Sequence, residues 1–351
     1  MACDRPTKDH GDLTTRWQTA GLLSVVVALA VTASVVALLS TGALLAAAPT
    51  GLTDPGSLTR YGLPAVQVVR DLTVAMTVGS LTIAATLMSF SASSTSTIDI
   101  ARRYLFTIAG AASALWALSA VTVLALTYSE VSGMSVLSPG AFGESFDAFV
   151  SDLPLGRALL ANAVVAGATC LASLVSRGHT AAFVLAIIAA SALWPLASTG
   201  HAAGQEGHGV IIYAQMAHTT AMTLWVGGLA ALLVCRRRLD DVGWSAVVSR
   251  YSTIAGWSVV VLLISGVGSA AIQTGSWSGL SSDYGLLLAG KSFLLVLLSA
   301  AGYWQRRRIL PAIRKATDTR VSFKRLASLE LAVMGIAIGL AVALSRTPPP
   351  T

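Results

Sequence analysis

Nine apolar runs, each long enough to cross a lipid bilayer as a helix, dominate this chain of 351 residues. A hydrocarbon core about 30 Å thick needs roughly 20 apolar residues per helix. Backbone groups cannot stay unsatisfied in lipid, and the runs are apolar on all sides rather than alternating. The sequence therefore predicts an all-α, polytopic membrane helical bundle of about nine transmembrane helices. The predicted runs are Ala20–Ala48, Leu63–Phe90, Tyr104–Tyr128, Leu155–Val175, Ala181–Ser198, Val210–Cys235, Tyr251–Thr274, Tyr284–Trp304 and Leu326–Leu344.

The amino-acid composition supports the same fold class. Hydrophobic residues make up 54% of the chain and charged residues 11%, whereas a soluble domain carries about 25% charged residues. So few charges cannot cover a water-exposed surface, which excludes a soluble enzyme and a nucleic-acid-binding domain. The predicted partner is the lipid bilayer, and no nucleic acid is expected to bind although the net charge is +7.

The positions of the basic residues predict the orientation of the bundle. Cytoplasmic loops of membrane proteins carry an excess of Lys and Arg. With the N-terminus inside, most of the 23 basic residues lie in the N-terminal segment and in cytoplasmic loops. We therefore expect the N-terminus inside and the C-terminus outside. The expected parts are a cytoplasmic tail over 1–19, a single transmembrane domain over 20–345 and a short external tail over 346–351.

Three of the five histidines lie close together along the chain. His201 and His208 fall in the predicted outer loop between the fifth and sixth runs, and His218 falls inside the sixth run. Counted from Val210 at 1.5 Å per residue, His218 lies about 12 Å into that run. An imidazole inside a membrane helix is a functional hypothesis by default, although it can also serve only to hydrogen-bond a neighbouring helix.

The residues around His218 indicate which metal such a site would bind. Residues four and seven positions apart share a helix face, so one stripe holds Gln215, His218, Met222 and Trp225, and Met216 lies to one side of it. Imidazole binds several transition metals, and a thioether selects Cu(I). The pair Gly227-Gly228 further along permits a close helix approach or a bend. The predicted metal ligands are His201, His208, His218, Met222 and Met216, and the predicted supporting residues are Gln215, Trp225, Asp71, Gly227 and Gly228.

Charged residues inside the apolar runs form a second group of candidates. Arg70 and Asp71 lie in the second run and Lys291 lies in the eighth, at a depth similar to that of His218. Unpaired charges are expensive there, so we expect these side chains to face the bundle interior, with Asp71 paired to Arg70 or to Lys291. Arg70 and Lys291 would bind an anion or hold helices together. Glu330 enters the ninth run from the predicted cytoplasmic side, as an exit or as a polar contact.

Several motifs resemble those of the copper resistance D (CopD/PcoD) family. The stretch from His218 to Leu229 resembles the family signature His-x6-Trp-x-Gly-Gly-Leu. The segments 249–258 and 265–270 look like the family helix that follows, and the segments 284–291 and 306–311 match its later pattern, with Lys291 in place. The resemblance is strongest over 200–345. The N-terminal helices are similar mainly in hydropathy and in Arg70.

The resemblance implies a protein of copper handling in the bacterial inner membrane. Members of the family are usually described as importing copper, often beside a periplasmic copper-binding partner of the CopC type. Carried over by motif position, the implied functional residues are His218, Trp225, Gly227, Gly228 and Lys291. An oxidase-assembly domain found fused in some relatives is absent from this sequence, and the first helix is additional to the usual eight.

Three hypotheses for the function remain open at this point. In the first, copper, as Cu(I), is collected outside and passed inward by the His/Met site, and no reaction is catalysed. In the second, the chain is an electron carrier or reductase that binds haem b, with Arg70 and Lys291 clamping the propionates. In the third, the chain is an assembly factor that hands metal to a neighbouring protein.

Overall fold

The computed structural model describes residues 10–45, 53–87, 95–138, 140, 142–197, 208–274, 281–314 and 320–348. Within these ranges the chain forms helices and no β-strand. The helices are α1 (His10–Ser40), α2 (Ser57–Thr86), α3 (Thr95–Ser132), α4 (Glu144–Ser151), α5 (Pro154–Val175), α6 (His179–Ser191), α7 (Trp194–Ala197), α8 (His208–Cys235), α9 (Asp241–Thr274), α10 (Asp283–Arg314) and α11 (Arg320–Arg346).

Nine helical stretches in the described part of the chain are long and apolar enough to cross a membrane. Each falls on one of the nine predicted runs, and α6 and α7 together supply the fifth. The prediction of an all-α membrane bundle with about nine spans is confirmed. The orientation of its termini and the single-domain boundaries stay predictions.

The seventh span begins well before the residue at which its apolar run starts. The run starts at Tyr251, whereas α9 begins at Asp241. The extra turns are held by Trp244, which is 2% exposed and packs edge-on against Phe323 of α11 with 5.1 Å between ring centroids. Tertiary packing of an amphipathic segment thus lengthens this helix beyond its apolar run.

The contact between α2 and α8 brings two glycines into direct backbone contact. A Cβ added at Gly227 would lie 1.7 Å from the carbonyl oxygen of Ala75, and one added at Gly79 would lie 1.9 Å from the carbonyl carbon of Gly227. The neighbouring Gly228 lies against the ring of Tyr251. The close helix approach predicted for the glycine pair is therefore confirmed, and it places α8 in the middle of the bundle.

The fifth span is interrupted where α6 ends and α7 begins. Pro195 stands near the interruption, and a proline donates no backbone hydrogen bond to the preceding turn. The buried side chain of Asn162 on α5 donates to the Ala192 carbonyl at 2.9 Å, and Trp116 of α3 donates to Asn162 at 3.0 Å. A side-chain network thus gives a hydrogen bond to the carbonyl of Ala192, just after the end of α6.

Polar contacts join residues that were predicted to share one side of the membrane. Arg346 pairs with Glu130, both predicted outside. At the other end of the bundle, Arg250 donates to the carbonyl of Thr86, and Arg102 donates to the carbonyl of Leu87. These contacts agree with the predicted division of the loops between two faces.

We expect Gly227→Ala to destabilise the bundle, because the new methyl group would enter the backbone of α2. Overpacking of this kind costs about 1–3 kcal/mol or more. Thermal unfolding of the detergent-purified protein should show a lower melting temperature. Gly167→Ala on α5 is the matched control, since its Cβ would meet nothing within 4 Å. A melting temperature equally unaffected by both changes would contradict the close packing.

Candidate functional site

The predicted stripe on α8 runs from the surface into the core of the bundle. Gln215 is exposed, His218 and Met222 are partly buried, and Trp225 is buried at 8% exposure. Met222 packs against the main hydrophobic core, of which Trp225 is a member. The stripe therefore leads inward from an accessible end, and His218 lies where the environment changes from exposed to buried.

His218 is held by a hydrogen-bond chain to the neighbouring helix α9. Its Nδ1 atom lies 2.9 Å from the hydroxyl of Ser265. That hydroxyl lies 2.6 Å from the carbonyl oxygen of Val261, to which it donates its only proton. With that proton on the Val261 side, the Ser265 oxygen accepts a hydrogen bond from the Nδ1–H of His218.

In this arrangement the imidazole has the tautomer that a metal ligand needs. A neutral imidazole that carries its proton on Nδ1 has a free lone pair on Nε2. Metal-binding histidines ordinarily donate their other ring N–H to an oxygen acceptor, which orients the ring and fixes its tautomer. Among the described residues, Ser265 supplies this acceptor to His218.

One further residue lies beside the His218 ring, and a second acts on it electrostatically. A Cβ added at Gly266 of α9 would lie 3.9 Å from the ring carbon Cε1 of His218. The ammonium of Lys291 on α10 is close enough to act electrostatically on the ring. The ring thus lies next to a small residue and a hydroxyl of α9, and it feels the charge of Lys291.

Of the other charged candidates, Arg70 and Asp71 pair with each other on α2. The Arg70 Nε and Nη2 atoms donate to one Asp71 oxygen at 3.0 and 2.9 Å. Of the two partners predicted for Asp71, the structure selects Arg70. The pair explains how two charges are tolerated in this span. It also occupies the Arg70 guanidinium, which the haem hypothesis needs to bind a propionate.

The structure describes only part of the predicted histidine cluster. His201 lies outside the described residues, and of His208 only its backbone position at the start of α8 is described. Within the described ranges, no group of three or more His, Cys, Asp or Glu side chains is arranged to hold a metal. Convergence of the three imidazoles therefore stays a prediction. Met216 is partly buried and lies two residues before His218, on a different face of α8.

Two residues with clear positions were given no role from the sequence. Ser265 lies in a quoted family segment, but its contact with His218 depends on how α8 and α9 pack. Tyr251 donates from its hydroxyl to the Trp225 carbonyl at 2.7 Å and covers Gly228. A lone serine or tyrosine in an apolar run indicates a polar partner, but it does not indicate which helix provides that partner.

The hydrogen-bond chain makes a prediction about the proton on His218. Nitrogen-15 NMR of histidine-labelled protein should show His218 as a neutral ring protonated on Nδ1, because Ser265 accepts there. In Ser265→Ala the acceptor is lost, and we expect a mixture of the two tautomers. A wild-type ring protonated on Nε2 instead would contradict this geometry.

Comparison with known protein families gives two matches that cover most of the chain. The family described as Copper resistance protein D matches residues 245–344, and the family described as Copper resistance protein D-like, N-terminal domain, matches residues 57–211. The likeness thus extends further towards the N-terminus than the quoted motifs. Neither curated proteins nor solved structures give a match. The stretch 212–244, which includes His218, lies between the two matches. Both matches are to copper resistance protein D models, and the described residues hold nine candidate membrane spans, so the chain belongs to the copper resistance protein D family.

Proposed function

We propose that this copper resistance membrane protein carries copper through the bilayer and that His218 is its first ligand inside the membrane. The observation that carries the proposal is the hydrogen-bond chain from His218 through Ser265 to Val261. It is compatible with the tautomer that carries its proton on Nδ1, in which the Nε2 lone pair is free for a metal ion. A histidine that served only to join helices would not need that second nitrogen.

Met222 supplies the second ligand, one turn deeper on the same helix face. A thioether and an imidazole together favour Cu(I) over the harder divalent ions. Met216, His208 and His201 lie before His218 in the chain and collect the ion on the outer side. The burial that increases from Gln215 to Trp225 gives the ion a direction from water towards the core.

Lys291 keeps the binding at His218 weak enough for transport. An ammonium near the ring repels a bound monovalent cation. A conducting site has to bind its ion strongly enough to admit it and weakly enough to release it. Entry needs no chemical reaction, because a potential negative inside favours it by about 2.3 kcal/mol per charge per 100 mV.

The proposed setting is the bacterial inner membrane, with a periplasmic copper-binding protein of the CopC type as the copper donor. Support for this setting comes from the nine membrane spans and the family membership. A donor protein would deliver Cu(I) at the end of the bundle where α8 begins, next to His208.

Copper binding by purified variants tests the ligand assignment. His218→Ala should lose Cu(I) retained against a colorimetric chelator, because the central ligand is gone. Ser265→Ala should bind about 10- to 100-fold more weakly, as is usual when the partner of a ligating histidine is removed. His179→Ala at the start of α6 is the matched control and should bind like wild type.

Uptake separates transport from the alternative of handing metal to a neighbour. Vesicles that contain only this protein should accumulate Cu(I), and His218→Ala vesicles should not. Wild-type vesicles that bind copper without accumulating it would favour the assembly-factor hypothesis. Unchanged binding by His218→Ala would contradict the proposed site.

A further inference from the structure

A cavity of about 320 Å³ lies between α8, α9, α10 and α11. Most of its wall is apolar or aromatic, with Trp225, Val259 and Leu298 among the lining residues. A ligand site in a protein is usually a cavity of about 300–1,000 Å³ with mostly apolar walls and a few polar groups. Among the described residues that line this cavity, none carries an imidazole, a thiol or a thioether. The cavity is therefore a candidate site for a ligand other than a soft metal ion.

The cavity reaches the outer surface of the bundle between α9 and α10. These two helices are weakly enclosed: 28% and 17% of the residues in their spanning stretches are buried, compared with 67% in α8. The lining residue Tyr303 of α10 is 59% exposed. The walls there carry small residues, Gly256 on α9 and Gly302 on α10, and a Cβ added at Gly302 would meet nothing within 4 Å. The space beside α10 is thus open towards the hydrocarbon of the bilayer.

The length of the cavity is close to that of one bilayer leaflet. Its wall on α10 runs from Leu298 to Arg306, eight residues further along, which is about 12 Å at 1.5 Å per residue. One leaflet supplies half of a hydrocarbon core about 30 Å thick, or about 15 Å. The cavity can therefore hold much of one acyl chain that lies parallel to α10.

Two arginines of α10 stand at one end of the cavity. Arg306 donates from Nε to the hydroxyl of Ser252 on α9 at 2.8 Å, and from Nη2 to the Ser252 carbonyl at 2.7 Å. These bonds hold the guanidinium across the gap between the two helices, and they use two of its five N–H donors. Arg307 lies over the ring of Tyr303, with 4.9 Å between the guanidinium carbon and the ring centroid. Both arginines are exposed, so this end of the cavity is positively charged.

The same end of α10 has the features of a membrane interface. Tyr303 and Trp304 are 59% and 54% exposed, and such aromatic residues gather where lipid headgroups meet the hydrocarbon. This end lies on the predicted cytoplasmic side, where the leaflet carries anionic lipids that attract basic residues. A lipid phosphate at this depth would meet Arg306, and the acyl chain below it would meet the cavity.

From this geometry we infer that the cavity is a binding site for an anionic phospholipid of the leaflet at this end of the bundle. One acyl chain fills the slot between α9 and α10, where it gains van der Waals contacts that an empty slot would lack. The phosphate accepts charge-assisted hydrogen bonds from Arg306, and Arg307 adds a second positive charge. The inference goes beyond copper handling, since it requires only the membrane bundle.

Glu330 of α11 also lines the cavity, and its position favours the acyl chain over the headgroup as the buried part of the lipid. The residue is 7% exposed, and one of its oxygens accepts a hydrogen bond from the Gln305 amide of α10. A carboxylate in the wall disfavours a phosphate beside it, whereas it does not repel a chain of methylene groups. The phosphate is therefore expected at the exposed Arg306, and the chain in the cavity.

Native mass spectrometry of the delipidated, detergent-purified protein tests the headgroup. Wild type should bind phosphatidylglycerol at least about fivefold more tightly than phosphatidylcholine with the same acyl chains, because one basic residue near an anionic lipid contributes about that factor. Arg306→Ala should reduce this preference by about fivefold. Arg157→Ala removes the same charge from an exposed position on α5, so it is the matched control and should keep the preference of wild type.

Gly302→Leu tests the acyl chain, because the new side chain would occupy the open space beside α10. This variant should lose the binding of both lipids. Gly167→Leu on α5 is its matched control, since a Cβ there also meets nothing within 4 Å, and it should bind both lipids like wild type. Glycerol phosphate, which has a phosphate and no acyl chain, should not displace phosphatidylglycerol from wild type.

Three results would overturn the inference. The first is equal binding of the two lipids by wild type, and the second is unchanged binding by Gly302→Leu. The third is displacement of the lipid by glycerol phosphate, which would show a simple anion site. Melting temperatures of the lipid-free variants reveal any loss of folding, and Gly302→Leu remains a valid test if Arg306→Ala unfolds, because it leaves the bonds to Ser252 in place.

Discussion

The backbone contact between α2 and α8 is the constraint on which the site depends. Helices in lipid gain little from burying apolar side chains, so close packing between small residues holds them together. Gly79 and Gly227 let the two backbones touch, which seats α8 deep in the bundle. From that position α8 presents His218 to α9, and it presents Trp225 and Leu229 to the cavity that α10 and α11 close.

Several polar groups inside the bundle have partners on the same helix or on a neighbouring one. Asn162 donates to the carbonyl of Ala192 in the interrupted fifth span. Arg70 and Asp71 neutralise each other. Ser265 donates its hydroxyl proton to the carbonyl of Val261 on its own helix, α9. Such partners matter in lipid, because a polar group without a hydrogen-bond partner costs several kcal/mol there. His218 lies on the path that we propose for copper, with its Nδ1 atom engaged by Ser265.

The sequence predicts the spans well because hydropathy along one helix needs no knowledge of its neighbours. It also identifies His218, since an imidazole in an apolar run is conspicuous. It does not identify Ser265 or the position of Glu330 in a cavity, because both depend on the register between different helices. The early start of α9 at Asp241 is missed for the same reason: Trp244 is stabilised by Phe323, which lies 79 residues further along the chain.

X-ray absorption at the copper edge of the Cu(I)-loaded protein tests the central claim most directly. With His218 and Met222 as ligands, the spectrum should contain scattering from an imidazole nitrogen and from a thioether sulfur. In His218→Ala the imidazole contribution should fall, and in Met222→Leu the sulfur contribution should fall. Spectra that are identical in wild type and both variants would show that copper binds elsewhere and would contradict the account.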